Sequence, residues 1–198
     1  MKHAPTFKID SLTINLTAPS PNPVSLSLLT ALMGSKSAVS PPATTDIPAL
    51  NEYWPGQGGL NGGPVPARDG VPFHYLILAT KDVGRHEWGG YGDESEATSK
   101  LDGLANTKAL LAEGGHPGAE ACAAYTADGH NDFYLGAPAE MYQIWVNAPE
   151  SLAKEDWYQT STQRSAILAY VMDFDDGTQG FHGKDYERLA RPVRRFFP

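Results

Sequence analysis

The sequence predicts an α+β fold: short helices around a small antiparallel sheet, a C-terminal hairpin, and an extended N-terminal arm in front. Three observations predict it. Residues 73–80 read FHYLILAT, a continuous aromatic and aliphatic run bounded by Pro72 and Lys81, as expected of a buried strand. Tyr170, Met172 and Phe174 alternate with Val171, Asp173 and Asp175, and Asp176-Gly177 then supplies a tight turn, so residues 178–183 return as the partner strand. Between these strands, apolar residues recur at helical spacing over residues 101–112 and again from Pro138 to Trp145.

Taken in order, residues 1–48 form the arm and its linker, and residues 49–198 the domain. Phe7, Ile9, Leu12, Ile14 and Leu16 follow a strand-like alternation whose phase slips at Asp10-Ser11, and Pro19, Pro21 and Pro23 interrupt it. Residues 24–33 suit a short helix with Leu28, Leu29 and Leu32 on one side and Gly34 as its stop. Residues 35–48 read as a linker. The apolar stretch starts too late for a signal peptide, after Asp10 and a strand pattern, and is expected to dock on another chain.

Within the domain, the glycine-rich loop from Trp88 to Gly92 lacks the spacing and the following Lys-Ser/Thr of a phosphate loop. The first helix is expected to carry Leu101, Leu104, Ala105, Lys108, Leu111 and Ala112 on one face and to end at Gly114-Gly115. Pro117 opens a second helix, with Ala121-Cys122 facing inward, and Asp128-Gly129 begins a turn. A third helix from Pro138 presents Met141, Ile144 and Trp145. The polar run 159–165 leads into the hairpin, and residues 191–195 close the domain. The expected core is Trp54, Phe73, Tyr75, Ile77, Leu104, Leu135, Ile144, Trp145 and Phe174.

Composition narrows the chemistry. A net charge of −8 repels a nucleic-acid backbone, so no nucleic-acid partner is expected. The basic residues Arg188, Arg191, Arg194 and Arg195 are expected to pair with carboxylates of the fold. One cysteine, Cys122, allows neither an intrachain disulfide nor a cysteine metal cluster. No apolar run approaches the ~20 residues of a membrane span. The six histidines are never paired at i, i+4, and Asp175-Asp176 are adjacent in a turn rather than facing across a bond. No catalytic residue, cofactor or metal is therefore expected.

Several motifs lie in a recognisable order. Tyr158-Gln159-Thr160-Ser161-Thr162-Gln163, Ala169-Tyr170, Phe174, Asp176-Gly177-Thr178-Gln179, Lys184 and Arg191-Pro192-Val193-Arg194-Arg195 follow one another. Earlier stand Tyr53-Trp54-Pro55-Gly56, Gly103-Leu104-Ala105-Asn106-Thr107 and residues 132–141. Together they resemble the Lcl C-terminal domain family of the C-type-lectin-like fold, a layout also used by variable proteins of diversity-generating retroelements and by phage receptor-binding proteins. Gln159 stands where the family has Trp, and Leu189 where it has Arg.

The resemblance implies a receptor-binding protein, a phage tail or tail-fibre component that attaches through residues 1–48 to other virion subunits and forms a homotrimer. The partner would be a host surface receptor, protein or glycan, and the location the virion tail. A secreted bacterial surface adhesin and an enzyme on the same fold are the alternatives. Calcium-dependent sugar binding is not expected, since neither Glu-Pro-Asn nor Trp-Asn-Asp occurs. The family's changeable positions fall on Val171 and Asp173, which strand alternation independently sets opposite Tyr170 and Phe174. Extended by motif, the ligand surface takes in Arg164, Ile167, Thr178, Phe181, His182, Tyr186 and Glu187. The alternative is that Phe181 and Ile167 pack inward.

Overall fold

A computed structural model describes residues 47–198. The strand pattern near Phe7, the helix expected over residues 24–33 and most of the linker lie outside the described residues. The chain divides into two units, and the described residues belong to the second, Thr44–Pro198.

The elements of the second unit are β1 (Tyr53–Trp54), β2 (Gly59–Val65), β3 (His74–Leu78), β4 (Arg85–His86), α1 (Gly103–Glu113), α2 (Pro117–Ala123), β5 (Tyr134–Leu135) and α3 (Pro138–Asn147). A 3-10 turn at Pro149–Ser151 leads to β6 (Trp157–Ser165), β7 (Leu168–Asp173), β8 (Gln179–Gly183), β9 (Arg188–Leu189) and β10 (Pro192–Phe196). They form a mixed α+β domain with two sheets, ordered β1-β2-β3-β10-β5 and β4-β9-β6-β7-β8. Every strand pair is antiparallel except β6 with β9. No helix among the described residues is long and apolar enough to cross a membrane.

The continuous apolar run becomes β3, central in the first sheet between β2 and β10, and Leu76, Ile77 and Leu78 are fully buried. Phe73 is a correction: it precedes the strand and is 43 % exposed, outside the core. Tyr75 is half-buried beside Trp54, while Leu104 and Trp145 are partly buried against the main cluster. That cluster gathers Leu76, Leu78, Tyr134, Met141, Ile144, Tyr158, Met172, Phe174 and Val193. A second one joins Trp88, Leu110, Cys122, Leu135, Ala169 and Ala190.

Two elements differ from the sequence reading for one shared reason. The polar run 159–165 is not a lead-in but strand β6, seated between β9 and β7, with Thr160, Ser161 and Thr162 fully buried. Burial of hydroxyls requires partners. Thr160 Oγ1 donates to Tyr170 O at 2.9 Å and Thr162 Oγ1 to Ser99 O at 2.7 Å. Asn106 Nδ2 donates to Ser99 O at 2.6 Å and to Ser161 Oγ and Thr162 Oγ1, each at 3.1 Å. Helix α1 is consequently turned so that Gly103, Asn106, Thr107 and Leu110 face inward, and Leu111, expected on the buried face, is exposed.

Three arginines of the closing segment are buried on carboxylates. Arg191 pairs with Asp82 at 2.5 Å and Arg194 with Asp132 at 2.6 Å. Arg195 meets Asp102 at 2.8 Å and the buried Glu140 at 2.9 Å. Glu140 also accepts from Tyr134 Oη, Gly103 N and Ala137 N, tying the starts of α1 and α3 to β5 and β10.

Candidate binding surface

The hairpin β7–β8 is held by its turn. Gly177 has φ +80°, and the indole of Trp145 lies where a Cβ would project, so the turn docks on α3 only as glycine. Gly177 N donates to Asp173 O and Asp173 N to Thr178 O. Strand register then sets Val171 opposite Gly180, Tyr170 opposite Phe181 and Ala169 opposite His182. Cross-strand partners share a face. His182 therefore lies on the Val171 side and Phe181 on the Tyr170 side, rather than all three together. Both Phe181 and His182 remain reachable because β8 is the edge strand.

Val171 is a second correction. Its side faces away from Met172, but the residue is only 3 % exposed. The Trp157 ring crosses Gly180 beside Val171, since a Cβ on Gly180 would lie 3.2 Å from Trp157 and 3.8 Å from Val171 Cγ2. Asp173 and Thr178 stay at the turn end, where Asp173 accepts from Asp175 N at 2.9 Å and Thr178 N donates to Asp176 at 2.8 Å. They stand about 13 Å along the strand from the level of His182.

At the other end of the hairpin, three segments converge by backbone hydrogen bonds. Gly92 N donates to Ala166 O, Lys184 N to Ile167 O, and both Trp88 N and Gly89 N to Lys184 O. Gly89, at φ +88°, leaves no room for a Cβ beside the Gly115 carbonyl. A concavity of about 350 Å³ results, lined by Tyr91, Ile167, Leu168, Phe181, His182 and Tyr186, among others. Tyr91, Ile167, Phe181 and Tyr186 are each about half exposed, Phe181 at 53 % and Tyr186 at 55 %. Glu187 is exposed beside it, its carbonyl accepting from Arg188 Nη1 at 2.8 Å.

Two guanidiniums stack on this surface. Arg164 lies 5.9 Å from the Phe181 ring centre and Arg188 5.4 Å from that of Tyr186. Neither joins a salt bridge among the described residues, unlike Arg85, Arg191, Arg194 and Arg195. Arg188 Nε instead donates to His182 Nδ1 at 2.9 Å.

Beneath the surface, the buried Lys184 ammonium donates to Asp93 O at 2.7 Å, Gln163 Oε1 at 3.1 Å and Gly90 O at 3.4 Å, and lies 4.5 Å from the Trp88 ring centre. Burial pushes its pKa below the ordinary lysine value, against the pull of Glu94, Glu113 and Asp93. It fixes the loop that presents Tyr91.

Tyr91 and Asp185 line the concavity without having been picked out from sequence, and Arg188, expected on a carboxylate of the fold, instead bonds His182 Nδ1 and Glu187 O. Tyr91 carried a signal, being a lone aromatic between Gly89-Gly90 and Gly92, where a turn has no need of a ring. Comparison with protein-family models and with curated proteins finds no match for this chain.

Proposed function

We propose that the chain is a receptor-binding protein, a phage tail or tail-fibre component whose C-type-lectin-like domain offers the Tyr91–Ile167–Phe181–Tyr186 concavity to a host surface receptor. The observation that carries this reading is the exposure of four large apolar side chains on one braced surface. Such clusters are unusual on a surface with no partner, and aromatic anchors commonly dominate binding energy. Two guanidiniums stacked on Phe181 and Tyr186, with no carboxylate paired to them among the described residues, favour a receptor that carries negative charge. In this reading residues 1–48 attach the protein to other virion subunits and to sister chains in a homotrimer, so that weak single sites act together.

The test combines Phe181→Ala with Tyr186→Ala in the full-length chain and measures both melting temperature and attachment to a panel of bacterial strains. Loss of attachment with an unchanged melting temperature is expected. Attachment that survives the double substitution would reject the surface. Mass spectrometry of purified virions separates the tail protein from a secreted adhesin.

A further inference from the structure

We infer that His182 makes the concavity pH-gated: protonation of Nδ1 breaks the Arg188–His182 hydrogen bond and releases the guanidinium from its place over Tyr186. The inference rests on the receptor-surface reading for its purpose, though not for its geometry. A guanidinium has only donors. Arg188 Nε at 2.9 Å from Nδ1 therefore fixes the imidazole as the neutral tautomer, lone pair on Nδ1 and proton on Nε2. The ring is held on its other side by Trp157, edge to face at 4.9 Å. Arg188 is in turn positioned by Glu187 O at 2.8 Å and by the Tyr186 ring at 5.4 Å. Trp157, His182, Arg188 and Tyr186 thus form one chain of contacts running to the rim of the concavity.

Once Nδ1 is protonated, donor faces donor and cation faces cation at that 2.9 Å contact, and the arrangement cannot persist. The surroundings do not offset this. Strands β6 and β7 set uncharged Trp157 and Ala169 against the ring, and β9 contributes only the cation Arg188. The 185–187 segment adds Asp185 and Tyr186 to the concavity, and the glycine-rich loop adds Tyr91. Glu187 engages Arg188 through its backbone carbonyl, and Lys184 turns its ammonium toward Asp93 O. Burial first and Arg188 second hold His182 below the ordinary histidine value. The bonded arrangement is thus the neutral-pH state, and release belongs to acid conditions below about pH 6.5. A receptor that requires the bonded state loses affinity about tenfold per pH unit below the midpoint.

The experiment is an NMR titration of the full-length chain from pH 7.5 to 5.0, reading the His182 ring nitrogens and the Arg188 Nε–H. Nδ1 should be unprotonated at neutral pH, and Arg188 Nε–H should lose its protection with the same midpoint as the ring. His182→Asn places Oδ1 near the Nδ1 position as an acceptor that never titrates, and should keep Arg188 protected throughout. Arg188→Gln, which leaves the ring its burial but removes the cation, should raise the His182 midpoint. Nδ1 protonated at pH 7.5, or an Arg188 signal that ignores the His182 midpoint, overturns the gate. Cell attachment at pH 5.0 relative to pH 7.5 should fall for wild type and hold for His182→Asn; equal acid losses assign the effect elsewhere and also overturn it. Attachment that survives loss of Phe181 and Tyr186 rejects the receptor surface and leaves the titration result standing, so the two failures are distinct.

Discussion

Lys184 gives its three donors to loop carbonyls and a glutamine oxygen, with no carboxylate oxygen within salt-bridge distance among the described residues. The energetic consequence is local, because two of those acceptors, Gly90 O and Asp93 O, belong to the loop that carries Tyr91. Lys184→Met keeps most of the buried volume but leaves Asp93 O and Gln163 Oε1 without a charged donor. A cost of about 2 kcal/mol is expected from hydrogen bonds to a charged group less the recovered desolvation. Amide exchange at Gly92, whose N–H bonds Ala166 O, should accelerate more than exchange in β3. Equal acceleration in both would mean that Lys184 supports the whole domain rather than the loop. Asp102 gives a second residue-scale expectation. Burial opposes its ionisation, but the Ala105 N–H and the Arg195 guanidinium outweigh it, so its carboxyl lies below the ordinary value. A depressed carboxyl contributes stability above the unfolded pKa of about 3.9 and loses it as pH falls through the folded value. Asp102→Asn retains a capping side chain but not the charge. It should melt lower at pH 7 and show a flatter decline in acid; an unchanged acid slope would assign that decline to other carboxylates.

At the scale of elements, α1 and β6 provide the sharpest contrast between sequence and structure. Asn106 closes three contacts to Ser99, Ser161 and Thr162, whereas Leu111 is exposed. Asn106→Ala should cost about 1–3 kcal/mol by leaving buried acceptors unpaired. Leu111→Ala should change stability by no more than about 0.5 kcal/mol. The reverse order in chemical denaturation would mean that α1 is turned the other way. On α3, Ile144 is fully buried in the main cluster, and Ile144→Ala should cost about 2–5 kcal/mol. These elements explain what could be read in advance. Strand β3 was legible because it is apolar on both faces, and the hairpin because Asp176-Gly177 punctuates an alternation. Strand β6 was not, because Ser161 and Thr162 are buried by partners 55 or more residues away, Asn106 and Ser99, and polarity alone suggests a loop. The same hidden polar contacts reversed the face of α1. In the candidate surface, Phe181 and Tyr186 stand out as aromatic residues in a polar, glycine-rich stretch, whereas Ile167 merges with the apolar run 166–172. The burial of Val171 depends on the position of Trp157, which alternation cannot supply.

At the scale of the whole molecule, both core clusters close within residues between Val65 and Val193, and the three arginine anchors Arg191, Arg194 and Arg195 find their carboxylates inside the same span. Sequence-distant contacts thus fasten the last strand to the middle of the chain, Arg194 to Asp132 and Arg195 to Asp102. Stability should then be a property of the unit Thr44–Pro198, and the proposed reading assigns association to the preceding segment. Removing residues 1–43 should leave the melting temperature within about 3 °C of the full-length value, the shift that a change of about 1 kcal/mol produces in a domain of this size. Light scattering of the full-length chain should give three times the 21.3 kDa chain mass, and the truncated chain a single copy. A truncated trimer would move the association surface into residues 44–198, and a monomeric full-length protein at micromolar concentration would remove the trimer altogether. Because three linked sites bind far more tightly than one, the truncated chain should also lose most of its attachment to cells while its concavity remains intact. Full attachment by a monomer would show that one concavity suffices.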